Sequence, residues 1–178
     1  MSHSYPLKYY LHEEIAGGLG RKFSWLRVIR RIIKSRESNY LFWFRIANVL
    51  NSKNRFLKSI AKSINKHLMR KFGIEIMLGV TIDPGLTLPH PQGIVITKNC
   101  IIGKNFTIRQ GSTIGVDYKS GKKIIIGNNV DIGANCTVIG SGLHIGDDVV
   151  IGAMKFINKD IPSGVTCVNK KPIFYTKN

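Results

Sequence analysis

Two patterns of apolar positions divide the chain, and they meet near residue 71. In the first part apolar residues recur at three- and four-residue spacing. The run Trp25-Leu26-Arg27-Val28-Ile29-Arg30-Arg31-Ile32-Ile33 places them at i, i+3, i+4, i+7 and i+8 with arginine on the other face, which predicts an amphipathic helix. Tyr9, Tyr10, Leu11 and Ile15 predict a short first helix closed near Gly17-Gly18. Residues 39–50 are apolar nearly all round, and residues 55–71 carry Leu57, Ile60, Ile64 and Leu68 on one stripe.

After Phe72-Gly73 the period becomes six. Ile76, Ile82, Leu88 and Ile94 form one series, and the phase then slips by two to Ile96, Ile102, Ile108 and Ile114. It returns two repeat lengths later with Ile126, Ile132 and Val138, slips by one, and continues as Ile139, Ile145, Ile151 and Ile157. Glycine often follows, and a small or apolar residue takes the fifth position (Val80, Leu86, Cys100, Phe106, Ser112, Val130, Cys136, Val149). Such self-similarity is the signature of a parallel β-helix. Each hexad supplies a short strand and a turn, and three hexads make one triangular coil. The expected fold is mainly β, a left-handed parallel β-helix over residues 72–178, preceded by a basic α-helical segment over residues 1–71. An antiparallel sandwich would need alternating strands and longer turn signals, which the sequence lacks. Residues 117–123 interrupt the repeat as a polar, basic excursion.

Charge sharpens this division. The chain of 178 residues carries a formal net charge of +17. Residues 1–71 hold 16 Lys/Arg against 3 Asp/Glu, and residues 72–178 hold 11 against 7. A basic segment of this kind suits an anionic membrane face, nucleic acid or an acidic polymer. No recognised nucleic-acid module accompanies the charge, so nucleic acid is not expected as a partner. Cys100, Cys136 and Cys167 are odd in number and form no CxxC pair, which fits a reducing compartment rather than a disulfide framework or zinc, and Cys100 and Cys136 stand at small-apolar positions of the repeat as core. The first residues lack the apolar stretch of a signal peptide, and no run of 18 apolar residues exists. The expected location is cytoplasmic, with peripheral contact at the inner face of the membrane through the basic helices.

Candidate chemistry enters through Phe72-Gly73-Ile74-Glu75-Ile76 and Leu86-Thr87-Leu88-Pro89-His90-Pro91-Gln92-Gly93-Ile94-Val95-Ile96. With Phe44-Arg45-Ile46-Ala47 upstream, the stretch from about Tyr40 to Pro172 resembles the serine-acetyltransferase-like branch of the hexapeptide-repeat acyltransferases. In that branch an acid fifteen residues before a histidine marks the catalytic pair, and Glu75 and His90 have that spacing. The resemblance implies acetyl-CoA as co-substrate, a homotrimer, and a pantetheine groove between subunits at positions matching Gly115, Ala134 and Ala153. Lys170 and Lys171 are candidate phosphate contacts. A neutral imidazole removes the acceptor hydroxyl proton, and a carboxylate on its other nitrogen fixes the tautomer.

Two departures bear on the acceptor. The serine enzymes carry an acid directly before this histidine where this chain has Pro89, and a second histidine where it has Lys123. The N-terminal region is also short and basic, and resemblance to the short, basic members of this branch implies first a sugar hydroxyl in capsular, exopolysaccharide or lipopolysaccharide assembly. Serine O-acetylation in cysteine biosynthesis comes second, and a non-catalytic β-helix binding membrane or polyanion third. His144 alone shares the repeat region with His90, short of the three histidines of a γ-class carbonic anhydrase, so no metal is expected.

Overall fold

A computed structural model describes residues 5–18, 20–116 and 121–168. Helix α1 (Leu7–Leu11) runs into a π-helical turn, His12–Ala16, that stops at Gly17 with φ 111°. Helices α2 (Trp25–Lys34), α3 (Arg36–Asn51) and α4 (Arg55–Phe72) follow, as the three- and four-residue spacing predicts. Side-chain caps begin the last two: Ser35 Oγ accepts from Ser38 N at 3.2 Å, and Asn54 Oδ1 accepts from Leu57 N at 3.0 Å. Gly73, at φ 66°, closes α4 in the left-handed conformation that glycine adopts without steric cost. The period change in the sequence falls at this cap.

Beyond it the chain winds as a parallel β-helix of about four turns with three flat sides. The first side stacks β1 (Glu75–Ile76), β3 (Val95–Ile96), β6 (Thr113–Val116), β9 (Thr137–Gly140) and β12 (Phe156–Ile157). The second stacks β2 (Thr81–Ile82), β4 (Cys100–Ile102), β7 (Ile124–Ile126) and β10 (His144–Ile145). The third stacks β5 (Thr107–Ile108), β8 (Asp131–Ile132), β11 (Val150–Ile151) and β13 (Thr166–Cys167). Register is set by the inward aliphatic residue, so Ile76, Ile96, Ile114 and Val138 are Cα partners up the first side. A one-residue slip would turn these residues to water, which is why the register is strongly specified.

Each side in fact buries two positions, the aliphatic residue and the one two places before it: Val80 with Ile82, Phe106 with Ile108, Ser112 with Ile114. The Ser112 hydroxyl meets its burial by donating to Gly133 O at 2.8 Å and accepting from Cys136 N at 3.1 Å. This rule reinterprets the slip at Ile94: that residue is buried, but as the companion of Ile96, because the turn before it has gained two residues. It also corrects the later slip. Ile139 is 40% exposed and faces outward beside inward Val138, and the next inward pair is Leu143 with Ile145, the latter seven places past Val138.

Helices and coils share one apolar core, from Leu11 to Ile161. A buried ion pair fastens them. Arg45 of α3 donates to Glu14 Oε1 at 2.5 Å and Oε2 at 3.0 Å, and also to the Ile82 and Asp83 carbonyls at 2.8 and 3.1 Å. Glu14 in turn accepts from Gly85 N and Leu86 N, so every strong group of the pair is satisfied.

Candidate active site

His90 stands at the edge where the third side turns into the first. In the coil it closes, five residues separate Thr87 from Gly93; in the next coil three separate their stacked counterparts Thr107 and Gly111. The two added residues push the Pro89-His90-Pro91 turn outward, and His90 adopts φ 54° there with its ring exposed. The regular left-handed corner residue of this coil is Gly93, at φ 65°, so the conformation of His90 belongs to the added turn and not to the repeat.

Helix α3 reaches this turn. Arg36 Nη2 donates to Phe72 O at 3.1 Å and Nε to Pro91 O at 3.5 Å, with the guanidinium over the Phe72 ring at 5.0 Å. Glu37 Oε1 accepts from Leu88 N at 2.6 Å. The two side chains hold the His90 turn on both flanks and, with Ser35, Gln92 and Gln110, line an open groove of about 730 Å³ around the imidazole. Sequence reasoning missed Arg36 and Glu37, because no spacing rule links the first turn of a helix to a β-helix corner some fifty residues later. The Ser35-x-x-Ser38 cap was the one local signal that this helix begins there.

Glu75 lies at the same edge in β1, half-buried and facing outward, with Val95 as its Cα partner. It is two residues past Gly73, whose carbonyl accepts from Gly93 N at 2.8 Å. Among the described residues no hydrogen bond joins its carboxylate to His90. Ala134 and Ala153 share this edge as successive rungs above His90: Gly111 N donates to Gln92 O, Asn135 N to Gln110 O, and Met154 N to Ala134 O, at 2.8–3.0 Å. A Cβ on Gly133 would come within 2.6 Å of Ala153 N, so the coils approach here as closely as backbone allows. Gln92 and Gln110 are the rungs of this column beside His90, and the small Ala134 and Ala153 follow them. Arg109, one residue before Gln110, is paired with Asp131, which raises its pKa further.

Other expected site residues fall elsewhere. Gly115 stands in another column of the first side, with Ile139 as its Cα partner, and a Cβ added to it would lie 3.8 Å from Ile139 Cγ1. Lys123 is exposed just before β7 and does not line the His90 groove. Pro89 is half-buried in the His90 turn itself. Lys170 and Lys171, and residues 117–120 of the basic excursion, lie outside the described residues.

No family model matches the chain. Over 140 residues, 78% of the chain, it is 34% identical to serine acetyltransferase of Helicobacter pylori and spans 80% of that protein. It is 39% identical over 105 residues to serine acetyltransferase of Synechococcus elongatus, spanning 57% of the chain and 43% of the relative. Among solved structures, serine acetyltransferase of Neisseria gonorrhoeae in complex with serine superposes with a TM-score of 0.67 at 28% identity, over 76% of this chain and 56% of that one. Isoform 3 of Entamoeba histolytica, in complex with cysteine, reaches a TM-score of 0.73 over 97% of this chain and 60% of that one; at 23% identity this is a likeness of fold. The chain thus spans 56% and 60% of the length of these two solved structures. All four carry the name serine acetyltransferase.

Proposed function

The chain belongs to the serine acetyltransferase family, and we propose on that premise that it transfers acetyl from acetyl-CoA to the hydroxyl of serine, with His90 as the base. The serine oxygen attacks the thioester carbonyl carbon while the imidazole takes its proton. The tetrahedral intermediate collapses with cleavage of the carbon–sulfur bond, and the leaving thiolate recovers the proton from the imidazolium. Such proton transfer contributes about 10²–10⁴-fold. Glu75, at the same edge, stabilises the imidazolium and tightens its contact as the substrates close the site. The acetyl-pantetheine arm runs down the small-residue rungs past Ala153 and Ala134 toward His90.

One observation carries the choice of acceptor: a cation and an anion, Arg36 and Glu37, flank His90 in one groove. Serine carries a carboxylate and an ammonium on either side of its hydroxymethyl carbon. Arg36 has donors left beyond its two carbonyl bonds, and Glu37 has acceptor sites left beyond Leu88 N, so each can meet the opposite charge of the zwitterion. A sugar hydroxyl stays the second reading, favoured by Pro89 and Lys123 at the two family positions that help hold serine. Release of free thiol from acetyl-CoA, followed with L-serine and with a panel of N-acetylhexosamines, tests both. Turnover with serine is expected. Turnover with a sugar and none with serine would replace the proposal, and none with either on folded protein would favour the non-catalytic reading.

A further inference from the structure

We propose that α2 seats the protein on an anionic lipid surface, lying in the headgroup plane. The helix uses little of its apolar surface for folding: Val28 is buried and Ile32 packs beside it on the core. At about 100° per residue the next arc holds Trp25, Ile29, Ile33 and Leu26, and the arc after that holds Arg30, Lys34, Arg27 and Arg31. Ile33 is 79% exposed, Leu26 59%, Trp25 55% and Ile29 51%. A helix serving only the fold would turn this aliphatic arc inward. Here it is left in water beside a cationic arc, the arrangement of an interfacial helix.

The patch continues past the helix. Trp25 packs edge-to-face on Phe23 at 5.1 Å, Phe23 lies under the Lys8 ammonium at 5.1 Å, and Tyr9 is exposed beside the same apolar hollow. Aromatic rings with a polar tip suit the boundary between hydrocarbon and water. Residues 20–34 contain Arg21, Lys22, Arg27, Arg30, Arg31 and Lys34 and not one acid. Among the described residues none of these six makes an ion pair. Charge complementarity selects the occupant. A second copy of a chain with net charge +17 would bring more cations to this face, whereas acidic lipid supplies the missing anions. The contact is peripheral, since no described helix is long and apolar enough to cross a membrane.

The test is flotation with vesicles of phosphatidylcholine alone and of phosphatidylcholine mixed with phosphatidylglycerol, using variants whose far-UV circular dichroism matches the parent. Binding to the anionic vesicles and not to the neutral ones is expected, weakening as salt rises. Arg30→Ala, Arg31→Ala and Lys34→Ala together should weaken partitioning about a hundredfold. Ile29→Ser with Ile33→Ser should weaken it with every charge retained. In a Trp43→Phe background, Trp25 emission should shift to the blue on adding anionic vesicles. No binding at low salt, or equal binding by the triple variant, would overturn the proposal. So would a concentration-dependent doubling of mass that Ile33→Ser abolishes without any vesicle binding, which would make this face a contact between copies. Thiol release in solution is independent of all these outcomes, because α2 contributes nothing to the His90 groove.

Discussion

His90 combines an exposed ring with a backbone at φ 54°, a region that histidine and asparagine tolerate better than most residues. Asparagine is therefore the substitution that separates chemistry from turn geometry. We expect His90→Asn to lower kcat by about 10²–10⁴-fold while acetyl-CoA binding and Tm stay near the parent values. Turnover within a few-fold of the parent would remove His90 as the base. Glu75→Gln should lower kcat less, because the imidazole remains. The cysteines read correctly as core at Cys100 and Cys136, and burial pushes the Cys100 thiol up to about 12. Iodoacetamide at pH 8 should label half-buried Cys167 first and reach Cys100 only after unfolding. The folded thiol holds its proton above the usual thiol range while the unfolded one releases it, so this group's contribution to stability falls as pH rises from about 9 toward 12.

Among the elements, α3 does two tasks from two points along its length. Its first turn carries Arg36 and Glu37 to the His90 turn, and its middle carries Arg45 to the Ile82 and Asp83 carbonyls. The segment Phe44-Arg45-Ile46-Ala47, which resembled the family, is thus a fastening between helices and coils. Arg45→Met should lower stability by about 3–5 kcal/mol, because the Glu14 carboxylate would remain buried without its cation. Adding Glu14→Gln to that variant should recover part of the loss, read as the midpoint of urea unfolding. An unchanged midpoint in Arg45→Met would show the pair to be dispensable.

For the whole molecule, Ile125, Ile139, Val150 and Phe156 are at least 40% exposed on the outer faces of the coils. We expect these to be covered in a homotrimer, which would also bring the Gly115 column of one subunit toward the Ala134–Ala153 edge of another. Light scattering should give a mass of three chains, and an active, stable monomer would contradict it. By itself the sequence determined the β-helix, its period, the four helices and the position of His90. A hexad repeat with inward aliphatics has few other ways to bury itself, and helical spacing is equally local. The two-residue slip in that repeat falls at the His90 turn, although its meaning needed the stacked coils: Thr87 and Gly93 over Thr107 and Gly111 reveal the added residues. Only the tertiary structure decided that Ala134 and Ala153 share the His90 edge while Lys123 does not, and that Arg36 and Glu37 flank the imidazole. Those relations join segments that the periodicity treats separately. Which residues meet at a corner depends on how many residues each turn inserts and where the helices dock, and neither follows from hydrophobic pattern.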